Sequence, residues 1–151
     1  MSLIWTVRPT PELINSLFVR TMAQHLGIEF TEVGDDYLAA KMPVDERTHQ
    51  PDGILHGGAS ATLAETLGSI AGAFCVDAEK KRVIDVELNY NHIRSMRTNE
   101  VYGTARPLHL GSLTQVWDIR IVNADQKLVC VARLTLAVLH GQPTAVIPGG
   151  A

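Results

Sequence analysis

Residues 53–76 most constrain what this chain can become. Histidine aside, Glu65 is the single charged residue in a stretch made otherwise of Gly, Ala, Leu, Ile, Ser, Thr, Phe, Cys and Val. Its core, residues 59–76, has helix length and no proline. It lacks a wide polar face, so the helix is expected to be buried nearly all round. A carboxylate in the middle of a buried helix is costly unless it is paired or used. Desolvation should raise its pKa toward the range where a carboxylate serves as a base. Buried carboxylates are more often structural than catalytic, so Glu65 alone does not establish catalysis.

The residues before it add to the case. The helix is expected to open at His56-Gly57-Gly58. Two glycines at a helix start allow close approach to the backbone. The first turn carries free N–H groups and the positive end of the dipole, which suit a carbonyl oxygen becoming an oxyanion. Gly58 and Glu65 are nearly two turns apart on one face, about 10 Å along the axis. A base and an oxyanion donor must meet within roughly 3 Å of the reacting group. One helix cannot do both jobs for one substrate, but two antiparallel copies across a two-fold axis can. If Glu65 is catalytic, an obligate homodimer with shared sites is expected. Ser69, at i+4 from Glu65, can hydrogen-bond the carboxylate or a water.

The bulk numbers exclude several classes. The 151 residues suffice for one domain with a sizeable core, expected over residues 1–140. A net charge of −3 gives no electrostatic support to nucleic-acid binding. A hydrophobic content of 46% excludes a disordered chain. Polar residues inside the 53–76 run, Ser60, Thr62, Thr66 and Ser69 beside Glu65, argue against a membrane span. No basic segment precedes an apolar run near residue 1, so no signal peptide is expected. Cys75 and Cys130 stand in apolar contexts without metal spacing and read as buried, reduced thiols of a cytoplasmic protein. No His/Cys/Asp cluster has ligand spacing, so no metal and no cofactor is expected.

Residues 11–24 read as one amphipathic helix, with Leu13, Ile14, Leu17, Phe18 and Met22 apolar. Residues 28–33 and 37–42 read as strands joined by a Gly34-Asp35-Asp36 turn. A polar loop over residues 43–55 leads into the long helix. Strands are expected at 83–91, 100–106, 115–122 and 127–139, and a flexible tail from 141 to 151. An antiparallel sheet wrapped around one apolar helix, an α+β architecture, satisfies this order.

The motifs are Met42-Pro43-Val44-Asp45, Gln50-Pro51, Gly53, Leu55-His56-Gly57-Gly58-Ala59-Ser60, Leu63-Ala64-Glu65-Thr66-Leu67-Gly68-Ser69, Asn91-His92-Ile93-Arg94-Ser95 and Pro107-Leu108-His109-Leu110-Gly111-Ser112. With them, the chain resembles the hotdog-fold acyl-CoA thioesterases over nearly its whole length. The resemblance is to the branch that hydrolyses aromatic acyl-CoA thioesters. That branch includes the 1,4-dihydroxy-2-naphthoyl-CoA thioesterase of menaquinone synthesis and the proofreading thioesterase of siderophore (enterobactin-type) synthesis. The resemblance implies Glu65 as base or nucleophile, with the Gly58 N–H of the other subunit polarising the thioester carbonyl. It implies Gln50 and His56 as positioning groups for carbonyl and sulfur, and Ser69 near the attacking water. It also implies a CoA groove along His92, Ile93, Arg94 and Ser95 and along His109, Leu110, Gly111 and Ser112. The implied partners are an acyl-CoA substrate, or an acyl or aryl carrier protein, and further copies of the chain, up to a homotetramer.

Arg94, Arg97, Arg106 and His109 form a locally basic set in an acidic chain, and arginine suits the phosphates of CoA. Two departures stand out. Asp52 occupies a position where close relatives often carry an aromatic residue. Asp85 occupies one that is usually small, uncharged and near the nucleotide. Neither is expected to touch the core chemistry. Two other readings stay open. His56 and Glu65 also suit a hotdog hydratase or dehydratase, although the Gln50 context favours hydrolysis. A non-catalytic acyl-CoA-binding module is disfavoured by the intact Glu65, Gly58 and Gln50.

Overall fold

The architecture follows from one helix that is small-residue-rich where it meets the sheet. A computed structural model of the chain describes residues 3–141. The expected tail lies outside that range apart from Gly141. The long helix, α3, spans Gly57–Phe74, preceded by α1 (Pro11–Leu17), α2 (Met22–His25), β1 (Glu29–Val33) and β2 (Leu38–Pro43). It is followed by β3 (Lys81–His92), β4 (Glu100–Leu110), β5 (Thr114–Val122) and β6 (Leu128–His140). The six strands form one antiparallel sheet in the order β1-β2-β4-β5-β6-β3, and α3 packs on β2 through β6. This is the expected α+β arrangement.

Small residues let α3 sit close to the strands. A Cβ on Gly68 would stand 2.6 Å from Leu134 Cδ2, and one on Gly72 would stand 2.2 Å from Leu136 Cδ1. Leu63, Leu67 and Phe74 of α3 meet Trp117, Ile119, Ile121, Leu134 and Leu136 in the core. Truncating any one of these leucines to alanine would cost about 2–5 kcal/mol. One buried polar pair sets the helix along the sheet. Gln115 Nε2 donates to the Gly72 carbonyl at 3.3 Å, and its Oε1 accepts from Trp117 Nε1 at 3.0 Å. Both ends of the buried amide are thereby satisfied.

Two expectations are corrected. Residues 11–24 form two short helices instead of one. Arg20 takes a left-handed φ of 62°, and Thr21 then caps α2 as Thr10 caps α1. The two threonine caps outweigh the continuous apolar pattern. Asn15 explains what the first helix does: its side chain donates to and accepts from the Phe30 backbone, at 3.0 and 2.8 Å, covering the β1 edge at its bulge. The second correction concerns α3. Only its sheet-facing stripe is buried in the single chain, while Thr62, Glu65, Thr66, Ser69 and Ile70 remain partly or fully open. Alanine, threonine and serine make no strongly polar stripe, so the pattern disguises a face left uncovered. Among the described residues, no helix is long and apolar enough to cross a membrane.

Candidate active site

The first turn of α3 is held in place by the loop before it. Thr48, buried, donates from its hydroxyl to the Pro43 carbonyl at 2.8 Å, and the His56 N–H donates to the Thr48 carbonyl at 2.7 Å. Gly53 adopts a φ of 70°, which closes a turn in which its N–H donates to the Gln50 carbonyl at 2.9 Å. The Gln50 side-chain oxygen accepts from the Asp52 N–H, which leaves its amide NH2 as the outward group. Arg97 staples this turn through the Asp52 carbonyl at 3.0 Å. Asp52 thus serves the loop through its backbone, and its side chain is exposed.

His56 is the N-cap of α3, and its Nδ1 accepts the Gly58 N–H at 2.8 Å. The Gly58 donor expected for a substrate carbonyl is therefore occupied by His56 in the free protein. An accepting Nδ1 places the proton of a neutral ring on Nε2. Gly57 lies against the His92 ring: a Cβ there would come 2.5 Å from His92 Nε2, and the exposed ring would have to move aside. Gln50, Gly57, Ser60, His92, Ile93, Arg94 and Ser95 line one cleft of about 330 Å³. The structure thus brings together five residues singled out in the sequence: Gln50, His92, Ile93, Arg94 and Ser95.

Glu65 lies elsewhere. It lines two clefts further along α3, one of about 420 Å³ with Phe18, Met22, Ala61 and Thr62, and one of about 240 Å³ with Phe18, Thr66, Ser69, Ile70 and Asp85. Neither shares a lining residue with the Gln50 cleft. Although Glu65 is exposed in the single chain, partial burial pushes its carboxyl above the usual range, and the Asp85 charge and their hydrogen bond push it further. Asp85, likewise exposed in the single chain, is also raised by partial burial at its carboxyl, opposed by hydrogen bonding to Ser69 and Glu65. Ser69 lines the same cleft as Glu65 and Asp85, within reach of both acids.

Asp85, singled out in the sequence for a position near the nucleotide, lines the cleft of Glu65, a neighbour that the sequence reading did not give it. Strand parity was the usable signal. Val83 packs on the core, and Asp85, two residues on, shares its face. A register shift between Asp85 and Glu87 then makes Val86 the extra residue, so that Leu88 returns to the core.

The two segments expected to hold CoA are far apart in one chain. His92 pairs with Cys130, Cys130 with Ile121, and Ile121 with Gly103, which places His92 level with Gly103 of β4. Leu110 is seven residues further along β4, roughly 23 Å. His109, Leu110, Gly111 and Ser112 thus sit at the opposite end of the sheet. The basic set also divides. Arg106 is committed to Asp36 at 2.5 Å and to the Tyr37 ring, 4.4 Å from its centroid. Arg97 is turned to the loop, while Arg94 lines the cleft and is exposed. Among the described residues no cluster of three or more His, Cys, Asp or Glu is placed to hold a metal. Burial raises both thiols, Cys75 to about 12, so neither is a ready nucleophile.

Comparisons with known proteins agree on one neighbourhood. Residues 52–130 match the family described as the thioesterase superfamily. The chain is 49% identical over 137 residues to the 1,4-dihydroxy-2-naphthoyl-CoA hydrolase of Escherichia coli, covering 91% of this chain and 100% of that one. It is 47% identical over 137 residues to the proofreading thioesterase EntH of Cronobacter turicensis, covering 91% and 99%. The crystal structure of a mutant thioesterase from Pseudomonas aeruginosa superposes with a TM-score of 0.90 at 46% identity, covering 91% and 99%.

Proposed function

Because this chain belongs to the thioesterase superfamily and is a thioester hydrolase acting on acyl-CoA thioesters, we propose that its acyl groups are aromatic and that two copies share each active site. One observation carries the shared site: α3 holds donors at its first turn and a raised carboxyl at Glu65, in clefts with no common residue. A thioester cannot touch both within one chain. Antiparallel α3 helices from two copies would put the Gly58 end of one against Glu65 of the other.

Two surfaces suit that contact. The face of α3 around Glu65 is uncovered. Strand β3 is a sheet edge that pairs only with β6 and exposes Ile84 and Val86, at 46% and 61%. A long open edge with exposed apolar residues is a template for another strand. The β3 of a second copy fits it, and a tetramer of two such dimers extends the proposal. The cytoplasm, where thiols stay reduced, suits the unpaired Cys75 and Cys130.

In this reading the thioester carbonyl takes the place of His56 Nδ1 as acceptor of the Gly58 N–H. The helix N-terminus stabilises the oxyanion as it forms. The Gln50 amide and the His56 ring hold carbonyl and sulfur in line. The partner's carboxylate at Glu65 draws a proton from water as that water adds to the carbonyl carbon, or attacks the carbon itself to form an anhydride that water then opens. The C–S bond breaks and the thiol leaves protonated. Arg94 faces the phosphates of CoA, with the other subunit supplying the His109–Ser112 segment. Each step uses groups of the chain and water. The apolar walls given by Phe18 and Ile70 suit an aromatic acyl group, in keeping with the names of the two relatives.

Thiol release tests this reading over benzoyl-CoA, hydroxynaphthoyl-CoA, fatty acyl-CoAs and an aroyl carrier protein. Fast, Glu65-dependent release from the aromatic members is expected. Preference for fatty acyl chains would overturn the aromatic assignment.

A further inference from the structure

The Glu65 cleft contains a second acid that the reaction above does not use. Strand parity and the bulge at Val86 turn Asp85 from β3 toward α3, into the cleft of about 240 Å³ lined by Glu65 and Ser69. Its two partners come from successive turns of α3, since Glu65 and Ser69 are four residues apart. A carboxylate facing a hydroxyl and a second carboxyl across one cleft can accept a hydrogen bond from each and orient both.

We propose that Asp85 is a positioning residue for Glu65: turned into the same cleft, its carboxylate faces the Glu65 carboxyl and the Ser69 hydroxyl, takes a hydrogen bond from the protonated Glu65, and so governs when Glu65 can act as a base. This rests on the thioesterase reading of the site. Two carboxylates this close cannot both ionise freely, which delays the second charge. The raised carboxyls of both residues accord with such a pair.

Among the described residues of one chain, no other charged side chain lines that cleft. On α3 its neighbours are Thr66, Ser69 and Ile70. On β6 the residues opposite Asp85 and Glu87 are Leu136 and Thr135, and Glu87 itself is bonded to Asn89 at 3.0 Å. From the segment between α1 and α2 come Phe18 and Thr21, and from α2 itself Met22 and Ala23. None of these but Glu87 titrates, and Glu87 lies past the bulge.

The consequence is a pH-dependent enzyme. Activity needs the Glu65 carboxylate, so kcat/KM falls on the acid side as the pair takes up its proton. Replacing Asp85 with Asn removes the repelling charge and offers an amide donor to Glu65. The acid limb should then move to lower pH. The experiment is kcat/KM against pH for wild type and Asp85→Asn, with benzoyl-CoA as substrate and thiol release as the readout. It is paired with a 13C titration of the Glu65 carboxyl carbon in the free protein. A limb and a carboxyl titration both shifted to lower pH in Asp85→Asn support the pair. Superimposable profiles, or an equal loss of rate at every pH, overturn it. Absence of thiol release from wild type would sink the functional reading instead, and the 13C titration, which needs no turnover, would still decide the pair.

Discussion

The two ends of the exposed stripe on α3 are opposites. At its first turn lie the Gly58 N–H, held by His56 Nδ1 in the free protein, and the Gln50 amide. Two turns on, Glu65 and Asp85 present acids whose negative charge is crowded. The donor end is assembled by a loop that bonds itself in place, through Thr48, Gly53 and Arg97. The acid end is assembled by the long-range meeting of a helix and an edge strand. In the proposed mechanism each end is half of a reaction centre, and the spacing along the helix keeps the halves apart. In the proposed shared site, a second copy brings the two halves together.

The largest effect should come from the acid end. Glu65→Gln should lower kcat on the order of 10³-fold or more while circular dichroism and Tm stay near wild type. Turnover close to wild type would remove Glu65 from the chemistry. Mixing then tests whether the ends belong to different chains. Glu65→Gln and His56→Ala subunits refolded together should regain activity, since each mixed dimer keeps one intact site. Random pairing predicts about a quarter of the wild-type sites. No recovery would place both halves in one chain.

The donor end alone should show a smaller loss. His56→Ala should cost roughly 10- to 100-fold in kcat/KM and, as a lost cap, about 1 kcal/mol of stability. Smaller again is the arginine contrast. Arg94→Ala should raise KM for a CoA thioester about five-fold, with the difference shrinking at high salt. Arg106→Ala, whose partners are Asp36 and Tyr37, should leave KM unchanged. Equal effects of the two would undo the division of the basic set.

The smallest effect concerns stability. A carboxyl raised in the folded state binds its proton more tightly there, so folding weakens as pH rises from the ordinary carboxylate range through the raised one. Asp85→Asn should therefore raise Tm at pH 7, by about 2 °C, and the gain should vanish in acid. A lower Tm at pH 7 would mean that the Ser69 contact outweighs the repulsion.

Much of this was legible in the chain. The apolar run and its glycines announced α3, and strand alternation announced β2 and β4 to β6, because burial of one face writes a period into the sequence. The break at Arg20 and Thr21 was hidden, since two threonine caps compete with an unbroken apolar pattern. The open face of α3 was hidden for a different reason: alanine, serine and threonine suit a sheet and a second copy alike. Arg106 read as a free cation, and its partner lies 70 residues away at Asp36.

The sequence by itself determined that a lone carboxylate stands two turns from a glycine-rich helix start, and that the helix must be wrapped by a sheet. Helix rise and apolar content are local properties, carried by neighbouring residues. Only the tertiary structure decided that Asp85 meets Glu65, that His56 holds the Gly58 N–H, and that His92 and Leu110 lie at opposite ends of the sheet. A bulge, a side-chain rotamer and a strand order set these. Each is chosen by packing between residues distant in the chain, and no local pattern records it.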